Sequence, residues 1–292
     1  MRNLRIIAWS IHSIWLFVAL TILLSGCKKD SGQSTGNNNN NNPPSNNPPP
    51  PPKPYQLVWS DEFDTDTVPN SNNWGYDVGG SGWGNNELEY YTDARPENAR
   101  IENGNLVIEA RLEDFGGKHY TSARILTKGK ASWTEGKSEI RAKLPSGVGT
   151  WPAIWMLSAT NPLVWPDDGE LDIMEEVGFN PNVIYGTAHN KAFNGAQGTQ
   201  KGGSTSIPDA QDSFHIYSIE WSSKAVTWSV DSVGYFTYTP PDYGFNYWPY
   251  TSDFFLIMNI AIGGNWGGQH GVDDSIFPQQ MLVDWVHIYQ RK

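Results

Sequence analysis

From Tyr55 to the C-terminus the chain alternates short apolar or aromatic segments with clusters of Gly, Asn, Pro and Asp, and no stretch carries a convincing helical period. That is a pattern of strands and turns. In Glu139-Ile140-Arg141-Ala142-Lys143-Leu144 polar and apolar residues alternate with period two, so one face is packed and the other wet. Strands are expected at 105–111, 122–128, 137–144, 170–177 and 183–189, then at 214–221, 225–230, 235–239, 254–262 and 282–290. Many strands with no helix between them imply antiparallel sheets closed into an all-β sandwich. No internal repeat and no second composition break follows Tyr55, so residues 55–292 are expected to form a single domain.

The N-terminus has a different character. Arg2 and Arg5 precede an apolar run from Ile6 to Leu24, then Ser25, Gly26 and Cys27, the only cysteine of the chain. No disulfide framework can form. A transmembrane anchor is one reading of the run, which is nearly long enough. The other is a signal peptide, because Leu24-Ser25-Gly26-Cys27 resembles the lipobox of bacterial lipoproteins. That resemblance implies removal of residues 1–26, acylation of Cys27 and a place in the bacterial cell envelope. Residues 28–54, with Asn37 to Asn42 and Pro48 to Pro52, hold almost nothing that could be buried and are expected to act as a tether.

The formal charge of −11 argues against nucleic acid as a partner. Fourteen Trp, thirteen Tyr and eleven Phe supply more aromatic surface than a core of this size requires, which assigns some rings to a ligand.

The chemistry is concentrated in Gly169-Glu170-Leu171-Asp172-Ile173-Met174-Glu175-Glu176. In a regular strand Glu170 and Asp172 share a face and Glu175 points away. One extra residue near Ile173 and Met174, a β-bulge, returns Glu175 to that face. Glu170 and Glu175 then lie about 13 Å apart at Cα, at roughly 3.3 Å per step. Side chains leaning together can approach the roughly 5–5.5 Å that a retaining glycosidase needs between its two carboxyl groups. Solvated acids on an exposed face are the plainer reading, but Leu171, Ile173 and Met174 make this strand part of a packed sheet. Like charges crowded there cost stability unless function compensates. Glu176 receives no role.

With its inserted Met174, the Glu-Leu-Asp-Ile-Met-Glu segment resembles the active-site motif of glycoside hydrolase family 16, in the bulged form of the laminarinase-like members. The resemblance continues through residues 82–91, 122–125, 149–156, 254–266 and 283–286 and so covers nearly all of 55–292. It implies a β-jelly roll of two stacked antiparallel sheets, concanavalin A-like, with a concave substrate cleft. By matching positions, Glu170 corresponds to the nucleophile, Glu175 to the general acid/base, and Asp172 to the carboxylate that tunes the nucleophile. His189 matches a family histidine near them. Trp151, Trp155 and Trp266 match cleft tryptophans, and Asn86, Glu87 and Arg124 match nearby polar residues.

The family also implies a structural Ca²⁺ away from the cleft, held by Glu62, a backbone carbonyl near Gly104, and Asp284; oxygen ligands suit this hard cation. No catalytic cofactor is expected, and a monomer is. Departures include Asn190 after His189, where relatives often carry Trp, and Gly267, where Pro is common.

The expected activity is endo-hydrolysis of β-1,3-glucan or mixed-linkage β-1,3-1,4-glucan with retention of configuration. A galactan such as agarose, porphyran or carrageenan is the enzymatic alternative. A sulfated chain would ask for a basic cleft, and only Arg124, Lys128 and Lys130 lie near the site in sequence. A non-catalytic glucan-binding lipoprotein is the alternative of another class, but it has no need of both Glu170 and Glu175.

Overall fold

The computed structural model describes residues 53–64 and 67–292. Cys27, the signal segment and nearly all of the tether lie outside the described residues. The strands are β1 (Tyr55–Asp61), β2 (Gly75–Asp77), β3 (Glu89–Tyr91), β4 (Ala99–Glu102), β5 (Asn105–Phe115), β6 (Lys118–Ser122), β7 (Arg124–Leu126) and β8 (Gly136–Lys143). They continue as β9 (Thr150–Ser158), β10 (Glu170–Glu175), β11 (Val183–His189), β12 (Lys201–Ser206), β13 (His215–Trp221), β14 (Val226–Val230), β15 (Val233–Tyr238), β16 (Phe254–Ile262) and β17 (Gln279–Arg291). Among the described residues the helical content is two single turns, at Gly195–Gln197 and Asp274–Ile276.

Two sheets make the β-jelly roll. The larger runs β15-β14-β13-β8-β17-β5-β6-β3, with β1 also on β17 and β4 also on β5; the smaller runs β12-β11-β10-β9-β16-β7-β2. Pairing is antiparallel except between β3 and β6, which are parallel because the chain reverses twice, through β4 and β5, before β6 is laid down. The expected strand at 122–128 is divided: Ser122 ends β6 in the larger sheet and Arg124 begins β7 in the smaller.

The core lies between the sheets. Ile140, Ala142, Tyr217, Ile219, Val283 and Val286 project from one sheet against Ile154, Met156, Leu171, Ile173, Leu256 and Met258 from the other. The β8 burial pattern alternates residue by residue, as period two requires. Each fully buried aliphatic side chain contributes about 1.5–3 kcal/mol against exposure, which holds β10 rigidly although it carries three acids. Leu126, Leu157, Phe255 and Ile257 form a second, smaller apolar cluster, with Trp155 and Leu163 against it.

Candidate active site

The bulge forms on β10. Against β9, Asp172 pairs with Trp155 and Met174 with Ile154, so one residue of β10 has no counterpart; against β11, Asp172 pairs with Thr187 and Glu175 with Tyr185. The extra residue puts Glu175 beside Ala153, on the same face as Trp155 and Asp172. Across the small sheet this register lays out rows: His189, Glu170 and Leu157; Thr187, Asp172 and Trp155; Tyr185, Glu175, Ala153, Asn259 and Arg124.

The bulge is clamped from behind. Trp228, on β14 of the opposite sheet, sends its indole N–H to the Asp172 carbonyl at 2.7 Å. Gly186 on β11 makes room for that ring, since a Cβ there would collide with Trp228 and the Tyr235 hydroxyl. Gly169 (φ +88°) turns the chain into β10, and a side chain at that point would meet Pro249.

Above the rows opens a cleft of about 1070 Å³, lined by Glu170, Glu175, Trp151, Trp155, Trp266, Glu87, Arg124 and His189 among others. Asn86 is not part of the lining; its carboxamide is tied to Asn265 at 2.8 Å, and Asn85 takes the lining position. Trp266 stands edge-on to both Trp151 and Tyr185. Arg124 lies between the rings of Trp83 and Trp155, 4.7 Å from each, and its Nε is 3.0 Å from Asp77.

Glu170 and Glu175 each receive one indole donor. Trp165 Nε1 donates to Glu170 Oε2 at 2.9 Å, and Trp151 Nε1 to Glu175 Oε1 at 3.0 Å. His189 Nε2 lies 3.1 Å from Asp172 Oδ2 and 3.6 Å from Glu170 Oε1. Burial first, then the charge of Asp172, pushes both Glu170 and Glu175 up to about 8. These groups are crowded together, so the proton belongs to the cluster as a whole. Hydrogen bonds decide where it rests. Glu170 takes the Trp165 donor on Oε2 and has the His189 ring 3.6 Å from Oε1, an environment that favours its ionised form. Glu175 has a donor on one oxygen alone, and no described residue bonds the other, leaving it free to carry a proton into the cleft.

His189 is pulled two ways. Burial alone would lower the imidazole, but Glu170 and then Asp172 outweigh it and push it up to about 9. Against this, the Gly195 N–H points at Nδ1 at 3.0 Å, a contact that requires a lone pair there. The backbone N–H cannot give up its proton, whereas the carboxyls can take one. The arrangement therefore fits the neutral Nε2–H tautomer, with the shared proton on a carboxyl.

Glu170, Asp172 and His189 present three ligand atoms within 4.8 Å of one another. The Nε2–H tautomer leaves no lone pair on Nε2 for a metal, so the geometry favours acid/base chemistry. The residues expected to hold calcium lie elsewhere. Glu62 follows Asp61, which pairs with Val286; Gly104 lies in the Asn103-Gly104 turn between β4 and β5; Asp284 occupies the bulge of β17 opposite the start of β5. Register thus brings all three to one corner. Both carboxylates have protein partners there: Glu62 accepts from His287 Nε2 at 2.8 Å, and Asp284 pairs with Arg141. The oxygen donors suit calcium, with Arg141 competing for Asp284.

Trp165, Tyr185, Trp83 and Asn259 line the cleft without having been singled out in the sequence. Trp165 lies in a Pro- and Asp-rich loop five positions before Glu170. Tyr185 and Asn259 could have been found by register, since they pair with Glu175 and Ala153.

A jelly roll with paired carboxyls on a bulged strand, beneath an open aromatic cleft, defines a glycosidase. The sequence agrees: residues 83–287 match the model of glycosyl hydrolases family 16, and the chain belongs to that family. It is 55% identical to a beta-glucanase of Rhodothermus marinus over 81% of this chain and 85% of that protein. It is 39% identical to a glucan endo-1,3-beta-glucosidase of Cryptopygus antarcticus, over 75% of this chain and 84% of that one. The solved laminarinase of Rhodothermus marinus superposes with a TM-score of 0.80 at 54% identity, covering 82% of this chain and 98% of that structure.

Proposed function

We propose that the protein hydrolyses internal bonds of β-1,3-glucan, or of mixed-linkage β-1,3-1,4-glucan, with retention of configuration. The observation that carries this reading is the placement of Glu170 and Glu175 on one face about Asp172, each with its own indole donor. Glu175 gives its proton to the glycosidic oxygen while the Glu170 carboxylate attacks the anomeric carbon, forming a glycosyl ester and releasing the leaving chain. Glu175, now ionised, takes a proton from water. That water attacks the same carbon as the ester bond breaks and returns its electron pair to the Glu170 carboxylate, and the second inversion restores the configuration. His189 sets its Nε2 against Asp172, 3.1 Å away, beside Glu170.

The substrate class follows from the walls. Indole and phenol faces suit the C–H faces of glucose, and polar groups meet its hydroxyls. Arg124, the one Lys or Arg among the lining residues, is paired with Asp77, so the cleft offers no free cation to a sulfated galactan. An open cleft favours internal cuts. Viscosity of a long β-1,3-glucan should drop before much reducing sugar appears, and laminarin should give short oligosaccharides. Degradation of agarose or carrageenan with laminarin untouched contradicts the substrate reading.

Two further parts belong to this proposal. Calcium at Glu62, Gly104 and Asp284 would fasten β1, the β4–β5 turn and β17 together. An acylated Cys27 would anchor the enzyme to the cell envelope; Cys27→Ala should then move it out of the membrane fraction. A variant that stays membrane-bound, with no acyl chain on the wild type, points instead to a transmembrane helix.

A further inference from the structure

A chain of hydrogen bonds runs from the floor of the cleft into the core. Trp155 Nε1 donates to Asn259 Oδ1 at 2.8 Å, and Asn259 Nδ2 donates to the Tyr91 hydroxyl at 3.0 Å. The Tyr91 hydroxyl in turn donates to Glu87 Oε2 at 3.1 Å, and Asn85 Nδ2 donates to Glu87 Oε1 at 3.1 Å. An indole N–H can only donate, so the orientation of Asn259 is set, and after it that of Tyr91. Every donor points towards Glu87, the acceptor at the end of the chain.

Behind Glu87 lies Glu89, two residues on and so on the same side of the extended run. Glu89 is fully buried. Its Oε2 accepts the Ile262 N–H at 2.6 Å, while its Oε1 is buried with no such partner. Burial first, then the charge of Glu87 and a hydrogen bond to it, holds the Glu89 carboxyl well above the usual range. Neighbouring carboxyls disfavour ionising together, and a buried oxygen without a partner is costly. One proton on Glu89 Oε1 removes both penalties.

We propose that Glu89 is a neutral carboxylic acid whose Oε1–H donates to Glu87, and that this bond positions Glu87 and, through the buried Tyr91, also Asn259 and Trp155 as one wall of the cleft. Glu89 is a positioning residue: it meets no sugar, and it acts by fixing the acceptor to which the wall is tied. The contribution of the wall to sugar binding rests on the glucanase reading above. The proton on Glu89 does not.

Two measurements test this. In the infrared difference spectrum of wild type minus Glu89→Gln at pH 7, a neutral-carboxyl band should be present in the wild type and lost in the variant; absence of that difference overturns the proposal, whether or not laminarin is cut. In kinetics, Glu89→Leu removes the donor and should raise KM for laminari-oligosaccharides roughly tenfold, the size expected for a hydrogen bond to a charged group, with kcat changed less than about twofold. Glu89→Gln keeps a donor for Glu87 and an acceptor for Ile262, and should return KM to within about twofold of wild type. Equal damage from both substitutions, or an unchanged KM in Glu89→Leu, contradicts a positioning proton. If Glu89→Leu does not fold, the infrared band and the KM of Glu89→Gln still decide.

Discussion

The indole N–H of Trp165 lies 2.9 Å from Oε2 of Glu170 and donates to it, although Trp165 itself is 43% exposed at the mouth of the cleft. A donor on the ionised form lowers the pKa of a carboxyl, and its loss raises it. Trp165→Phe should therefore move the acid limb of the kcat/KM profile to higher pH and reduce kcat about tenfold, the order expected for one hydrogen bond to a charged group. The alkaline limb, where the carboxyl cluster gives up its shared proton, should move less than the acid limb. A profile that falls uniformly, with neither limb displaced, assigns Trp165 to substrate stacking alone.

Glu176, next to Glu175, faces away from the cleft and is buried; Oε1 accepts the Asn182 N–H at 2.6 Å and the Gln211 amide at 2.9 Å. Burial, the largest influence, pushes it up to about 7. A folded pKa above the unfolded one means that the native state prefers the proton. Its stabilising effect is full below about pH 4.5 and is lost as pH rises through about 7. Glu176→Gln should be more stable than wild type by on the order of 2 kcal/mol at pH 8, with the difference shrinking towards pH 5. Denaturant midpoints at the two pH values give the check.

Much of this was legible in the sequence. The strands expected at 183–189 and 254–262 are the observed β11 and β16, because both are rich in β-branched and aromatic residues and are closed by turn residues. The bulge was legible too, since only an extra residue reconciles Glu175 with Glu170 and Asp172. By contrast, β9 was hidden by Pro152, a residue that does not normally enter a central strand. The Pro152 carbonyl accepts the Glu176 N–H, and its missing donor falls on that side, where β10 has ended. β12 was hidden by its composition, Lys-Gly-Gly-Ser-Thr-Ser, which carries no apolar signal. The clamp from Trp228 could not be read, because it crosses the core from a strand 56 positions away.

Calcium at Glu62, Gly104 and Asp284 would bind the native state and raise its stability by mass action. Chelation should lower Tm by several degrees while leaving the cleft unchanged, and Arg141→Ala should enlarge that difference by freeing Asp284. An identical melting curve in chelator, with no metal found by elemental analysis, removes calcium from the account.

Azide rescue tests the division of labour between Glu170 and Glu175 most directly. Glu170→Ala should lose essentially all hydrolysis, and added azide should yield a glycosyl azide of inverted configuration. Glu175→Ala should keep turnover of substrates with good leaving groups, and azide should then yield the retained configuration, because the nucleophile is intact. The opposite pairing of products and variants would contradict the assignment of Glu170 as nucleophile and Glu175 as acid/base.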